Sequence, residues 1–155
     1  MIQVIRVKNI LEVHKITRVE IAKVYRLEGI TKKQAIDLAE TVFCEKIYQT
    51  YTVNSPIIKG AKEVIEVAYK PGVMNPEVGS ILKAAFDLGI KLIAADSSHE
   101  YGFLKKSSKE ILLNPMVEHI VGKEPKTLAI HGATGKTKII PLRRMTDGEL
   151  LELSK

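Results

Sequence analysis

Apolar and polar positions alternate cleanly in several stretches of the chain and recur at helical spacing in others. In RVEIAKVYRL, residues 18–27, Val19, Ile21, Tyr25 and Leu27 share one side at period two, which predicts a strand, with a break near Ala22. TKKQAIDLAETVF follows, where Thr31 and Gln34 have the spacing of a capping box, a helix start that satisfies otherwise orphaned backbone N–H groups. Ala35, Leu38, Ala39 and Val42 then form a helical stripe. IYQTYTV, residues 47–53, is rich in β-branched and aromatic residues and predicts a strand. NSPIIKGAK, 54–62, has the Asn, Ser, Pro and Gly content of a connection.

A second run of elements begins at Glu63. EVIEVAYK alternates, with Ile65, Val67 and Tyr69 on one face, and Pro71-Gly72 ends it. A helix is predicted next. Asn75 caps it, Pro76 fits its first helical position, Glu77 suits the positive end of its dipole, and Gly89 suits a left-handed stop. KLIAAD and HEYGFL read as two short strands with a turn at Ser97-Ser98. SSKEILLNP reads as a short helix, and VEHIV, 117–121, as a closing strand. The second unit is thus strand–helix–strand–strand–helix–strand, a split βαβ pattern of ferredoxin-like type.

The first unit ends the same way. ILLNPMVEHIV lies over TVFCEKIYQTYTV, and YGFL over YRLE, which makes an internal repeat. Residues 1–17 hold a strand, IQVIRV, but leave hardly any room for a first helix. With helices on one face only, each sheet needs a partner for its other face, and the expected partner is the other unit, in an internal pseudo-dimer. Burial of each aliphatic side chain there would contribute about 1.5–3 kcal/mol.

Composition narrows the class. The chain has 155 residues, 45% hydrophobic and 27% charged, within the range of folded globular proteins. No apolar run approaches the length of a membrane span, and charges at Arg6, Lys8, Glu12 and Lys15 interrupt any signal-peptide core, so the expectation is a cytoplasmic protein without a membrane partner. The formal charge is +6, but basic residues are spread along the chain, as on a solvated surface. The single cysteine, Cys44, excludes an internal disulfide and reads as a small buried hydrophobe.

No constellation of reactive groups emerges. HGATGKTK, 131–138, contains Gly135-Lys136-Thr137, but a phosphate loop would need glycine at 130, where Ile130 stands. The segment reads as an exposed loop. His14, His99, His119 and His131 are never three or four residues apart, so no helix-borne metal pair exists, and His119 falls on a strand face. The expectation is no catalytic, cofactor-binding or metal-binding residue in this chain.

VIEVAYKPGVMNPEVGSILKAAFDLGIK resembles the opening of the small PurS-type subunit of phosphoribosylformylglycinamidine synthase. ILLNPMVEHIV is similar to that family's closing signature, through Leu112, Leu113, Asn114, Pro115, Val117 and Glu118, and CEKIYQTYTVN is a drifted copy. IIPLRRMTDGELLELSK resembles the link into the catalytic body of the large-subunit type of that enzyme. The resemblance implies an α+β fold of two tandem PurS-like units: 1–54, incomplete at its front, and 63–122, with 55–62 as connection and 123–155 as an extended linker and helix start leading into the synthase body. It implies a non-catalytic part of a purine-biosynthetic ligase that bridges glutaminase and synthase and supports ammonia transfer. ATP and magnesium would be bound elsewhere in that enzyme, and the partners would be the rest of the synthase chain and the glutaminase, with no nucleic acid and with room for a homo-oligomer. Thr146 and Glu149 form a further capping box, and the leucines after it are expected to continue in a longer parent. A small-molecule-binding regulatory module of ferredoxin-like type and an RNA-binding domain are the competing readings.

Overall fold

A computed structural model describes residues 1–10, 19–104, 113–129, 140, 143 and 145–153. The fold is α+β, with strands β1 (Ile2–Asn9), β2 (Val19–Glu28), β3 (Gln49–Val53), β4 (Glu63–Tyr69), β5 (Ala94–Phe103) and β6 (Glu118–Ile120) and helices α1 (Lys32–Leu38), α2 (Val78–Asp87) and α3 (Asp147–Leu153). The strands form one antiparallel sheet in the order β3-β1-β2-β5-β4-β6.

Local chemistry accounts for the helices. Thr31 and Gln34 make the reciprocal capping box, and α1 runs on into a π-helical turn, Ala39–Phe43, that the sequence pattern did not predict. Asn75 does not cap α2 directly. It accepts a hydrogen bond from the Glu77 N–H, and the helix begins at Val78 and ends before Gly89, whose φ of 72° is the left-handed stop. Ile5 and Leu27 on the sheet meet Ala35, Leu38, Ala39, Ile81 and Ala85 on the helices, and Cys44 closes the same cluster. Thr146 and Glu149 also form their predicted contact at the start of α3, none of whose residues is buried.

Three expectations are corrected. β2 is continuous through Ala22. Ser97 and Ser98 do not turn the chain: both are buried inside β5, a single ten-residue strand. The two halves do not stack their sheets face to face. They join edge to edge through a ten-pair ladder between β2 and β5, from Val19 opposite Phe103 to Glu28 opposite Ala94. The backbone N–H and C=O groups of both edges are satisfied by that ladder, a requirement that face-to-face packing would leave open.

The repeat is nonetheless written in the hydrogen bonds. The N–H groups of Tyr48 and Gln49 donate to the Glu45 carbonyl, as those of Val117 and Glu118 donate to Asn114. The Gln49 side chain accepts from the Glu45 N–H, and the Glu118 carboxylate from the Asn114 N–H. Ile10 donates to Tyr48 as Lys70 does to Val117. Carried through the ladders, these matches set Val7 on Val67 and then Lys23 on His99. Lys23 and His99 are themselves paired, so the pseudo-two-fold axis passes between them. The connection that corresponds to 70–93, which carries α2, is only 10–18 in the first half, and most of it, with His14, lies outside the described residues.

Candidate functional site

Alternation along each strand sends every second side chain away from α1 and α2. On this outer face the middle of the sheet is polar. Arg26 on β2 reaches over β5 to Glu66 on β4, with Nη2 donating to Oε2 at 2.8 Å and Nη1 to Oε1. Arg26 Nη1 also donates to Ser98 Oγ at 3.1 Å, and that hydroxyl donates to Glu66. Arg6 on β1 reaches over β2 in the same way, its Nε donating to Glu100 at 2.7 Å. On the other face Lys23 pairs with Glu77 at 2.7 Å, and Ser97 Oγ donates to the same carboxylate at 2.6 Å. In all three pairs the cation belongs to the first half and the anion to the second.

Burial sharpens these charges. The Arg26 side chain is 3% exposed and that of Glu66 12%. Burial works against the charge on Arg26, but hydrogen bonding and charge from Glu66 outweigh it and hold the guanidinium above its ordinary pKa. Burial likewise opposes ionisation of Glu66, yet hydrogen bonds from Arg26 and Ser98 and the charges of Arg26 and Arg6 hold it below the usual carboxylate range. His99 is lowered, first by burial and then by Lys23, whose Nζ lies 3.4 Å from its Nε2.

Beyond β6 the chain turns back over the outer face. The Val121 N–H donates to the Glu66 carbonyl at 2.9 Å, and at the far end the Leu128 N–H and Thr127 Oγ donate to the Glu28 carboxylate at 2.7 and 3.0 Å. Between this strap, the turn after β4 and the sheet lies a cleft of about 310 Å³. Its polar lining comes from Arg26, Lys70, Asp96, His119 and Lys123, and its apolar lining includes Ala68, Val73, Val78, Val121 and Leu128. Asp96 is fixed by Asn75, whose Nδ2 donates to its Oδ1 at 2.8 Å.

The predicted residues separate. His119 stands on the outer face in the cleft wall, while His99 lies on the helix side, and the two do not meet. Cys44 is buried, which pushes its thiol up. His131 and Gly135-Lys136-Thr137 lie outside the described residues, as do residues 107–112 of the helix predicted over SSKEILLNP. Of Tyr25, Tyr69 and Tyr101, the aromatics that an RNA-reading sheet would present to bases, Tyr25 and Tyr101 pack against apolar clusters and Tyr69 lines the cleft. Among the described residues no group of three or more His, Cys, Asp or Glu could hold a metal ion, and no helix is long and apolar enough to cross a membrane.

Sequence reasoning missed Arg26, Glu66, Ser98, Asp96 and Glu100. A signal was present: Arg6, Arg26, Glu66 and Glu100 each sit between apolar or aromatic neighbours in strand-like stretches, IRV, YRL, IEV and HEY. A charge in that setting is turned to the other face of the pleat, and four such charges on four strands foretell a polar face. Neither a protein-family model nor a curated protein matches the chain.

Proposed function

We propose that this chain is a non-catalytic, PurS-like N-terminal part of phosphoribosylformylglycinamidine synthase, made of two fused PurS-like units and acting in the cytoplasm. It bridges glutaminase and synthase so that ammonia released from glutamine reaches the synthase, where ATP-dependent ligation converts formylglycinamide ribonucleotide to its amidine. ATP and magnesium serve the synthase body in this reading. The observation that carries it is the duplicated closing turn, with equivalent hydrogen bonds at 45–49 and 114–118, in the segments that resemble the family's closing signature. The ion pairs across the β2–β5 seam support a scaffold role, because they fix the two units as one surface.

Reconstitution tests the reading. The chain is mixed with the glutaminase and with a synthase body lacking this region, and amidine formation is measured with glutamine or free ammonia as nitrogen source. Glutamine-dependent turnover should rise on adding the chain, with ammonia-dependent turnover much less affected. A chain that neither co-elutes with the two proteins nor raises glutamine-dependent turnover would sink the proposal.

A further inference from the structure

We propose that two copies of this chain associate through the free edge of β3, the two β3 strands pairing antiparallel about Tyr51. The dimer does not depend on the bridging role. β3 ends the described sheet, with β1 on its inner side. Its bonds to β1 decide which backbone groups are left over. The Tyr48 carbonyl accepts from the Ile10 N–H, and the Asn54 N–H donates to the Val4 carbonyl. Residues of an antiparallel strand turn their backbone groups to alternate sides, so Thr50 and Thr52 face β1 as well. Gln49, Tyr51 and Val53 therefore turn outwards. The Gln49 N–H is held by the Glu45 carbonyl. Among the described residues none pairs with the N–H groups of Tyr51 and Val53 or with the outward carbonyls. Such a bare edge is a template for another strand, and proteins usually blunt it with charge, proline or shortness. β6, at the far end of the sheet, has three residues, Glu118 among them, and follows Pro115. β3 has five residues, QTYTV, without a charge or a proline.

The sequence of this edge selects a second copy as the occupant. Thr-Tyr-Thr reads the same in both directions. With the strands fully overlapped, Tyr51 lies opposite Tyr51, Thr50 opposite Thr52 and Gln49 opposite Val53. Each Tyr51 N–H then donates to the other Tyr51 carbonyl, and each Val53 N–H to the other copy's Gln49 carbonyl. These two and two make four bonds, and they use the outward groups that β1 leaves over. Threonine pairs across strands are favourable, and no like charges face each other within the strands. The surroundings do not oppose the pairing. Lys8 and Arg6, beside Thr50 and Thr52 on β1, are neutralised by Glu20 and Glu100. Glu40, which accepts from the Tyr51 hydroxyl, is neutralised by Lys46. The contact is isologous, so it closes at two copies and leaves the short, charged β6 at both ends of the joined sheet.

The test uses the chain alone. A contact of five residues a side is small, so association is followed by sedimentation from micromolar concentrations up to about 1 mM. Hydrogen exchange of the backbone amides is read over the same range. The Tyr51 and Val53 amides should gain protection as concentration rises, while those of Thr50 and Thr52, bound to β1, should be protected throughout. In a mixture of labelled and unlabelled chain, a filtered NOE should join the Thr50 Hα to the Thr52 Hα of the other copy. Val53→Pro removes an N–H that points away from β1. It deletes two of the four bonds across the dimer and should weaken association about tenfold to a hundredfold. Thr50→Lys keeps the backbone and sets two cations about 7 Å apart across the axis, so it should weaken association in a salt-dependent way. Circular dichroism checks that both variants keep the fold. A single monomeric species at the highest concentration would overturn the proposal. So would association that both variants leave unchanged, or one that lacks the Thr50–Thr52 contact.

Discussion

Glu66 offers the sharpest test of how the two halves are held together. At a charge separation of roughly 4 Å and an effective dielectric of about 20, its attraction to Arg26 is about 4 kcal/mol, comparable to the cost of desolvating the two ions. The pair is therefore worth little against an apolar pair of the same size. Removing one member is another matter, because the other is left charged, buried and unpaired. With Arg26 at 3% and Glu66 at 12% exposure, Glu66→Met should destabilise by about 3–5 kcal/mol, a large part of a typical domain's stability. Ser98, which donates to Glu66, would lose its acceptor as well. Arg26→Met should cost a similar amount, and the double variant should cost less than either single one. Urea unfolding at neutral pH, followed by circular dichroism, gives the cycle directly. Single losses below about 1 kcal/mol that simply add in the double variant would refute the reasoning, since a solvated surface pair behaves that way. The acid limb checks the same pair. The Glu66 pKa is lower in the folded protein than in the unfolded chain, so its contribution is fully present above about pH 4.3 and is lost as pH falls through the folded value. Glu66→Gln should flatten that part of the pH–stability curve.

Three further outcomes are expected. A Cβ at Gly102 would lie 2.4 Å from Ile58 Cγ2, so Gly102→Ala should destabilise by about 1–3 kcal/mol, with part recovered by Ile58→Ala, both read by urea midpoints. Thr31→Ala removes the capping box of α1 and should cost about 1 kcal/mol in the same assay, whereas Thr31→Ser should cost little. Tyr51 donates to Glu40 at 2.8 Å, which pushes its phenol up to about 12, so it should ionise last among the tyrosines in an ultraviolet titration, and Glu40→Gln should bring it back toward about 10.

Elements governed by neighbours in sequence were legible. The capping box at Thr31, the Thr146–Glu149 contact, the stop at Gly89 and the alternation of β4 depend on residues a few positions apart, and their chemistry is local. Ser97-Ser98 was not legible, because two serines favour a turn unless their hydroxyls find distant partners. Glu77 accepts from one and Glu66 from the other, from 20 and 32 residues away in sequence, and the strand runs through. The repeat was readable at its closing turns, but not the way in which the halves meet. Edge pairing brings β2 against β5 across some 75 residues of chain, and no pattern within either strand announces its neighbour. The cleft stayed hidden for the same reason, since Arg26, Asp96 and Lys123 converge from three distant segments.

The pseudo-two-fold axis between Lys23 and His99 has a consequence for which partners the halves accept. The repeat equates Arg6 with Glu66, Arg26 with Gly102 and Val24 with Glu100. If two copies of the first half met along β2, Lys23 would face Lys23, and Arg26 would reach across to the other copy's Arg6. If two copies of the second half met along β5, Glu66 of one would be aimed at Glu100 of the other. Like charges would be desolvated together in both cases, at a cost of several kcal/mol. Only the unlike combination sets cation on anion. Duplicated units usually risk annealing with their own twins, in a folding chain or between chains. Here the geometry is nearly that of a homodimer, while the charges permit only the mixed couple, so each half recognises the other and turns away its own likeness.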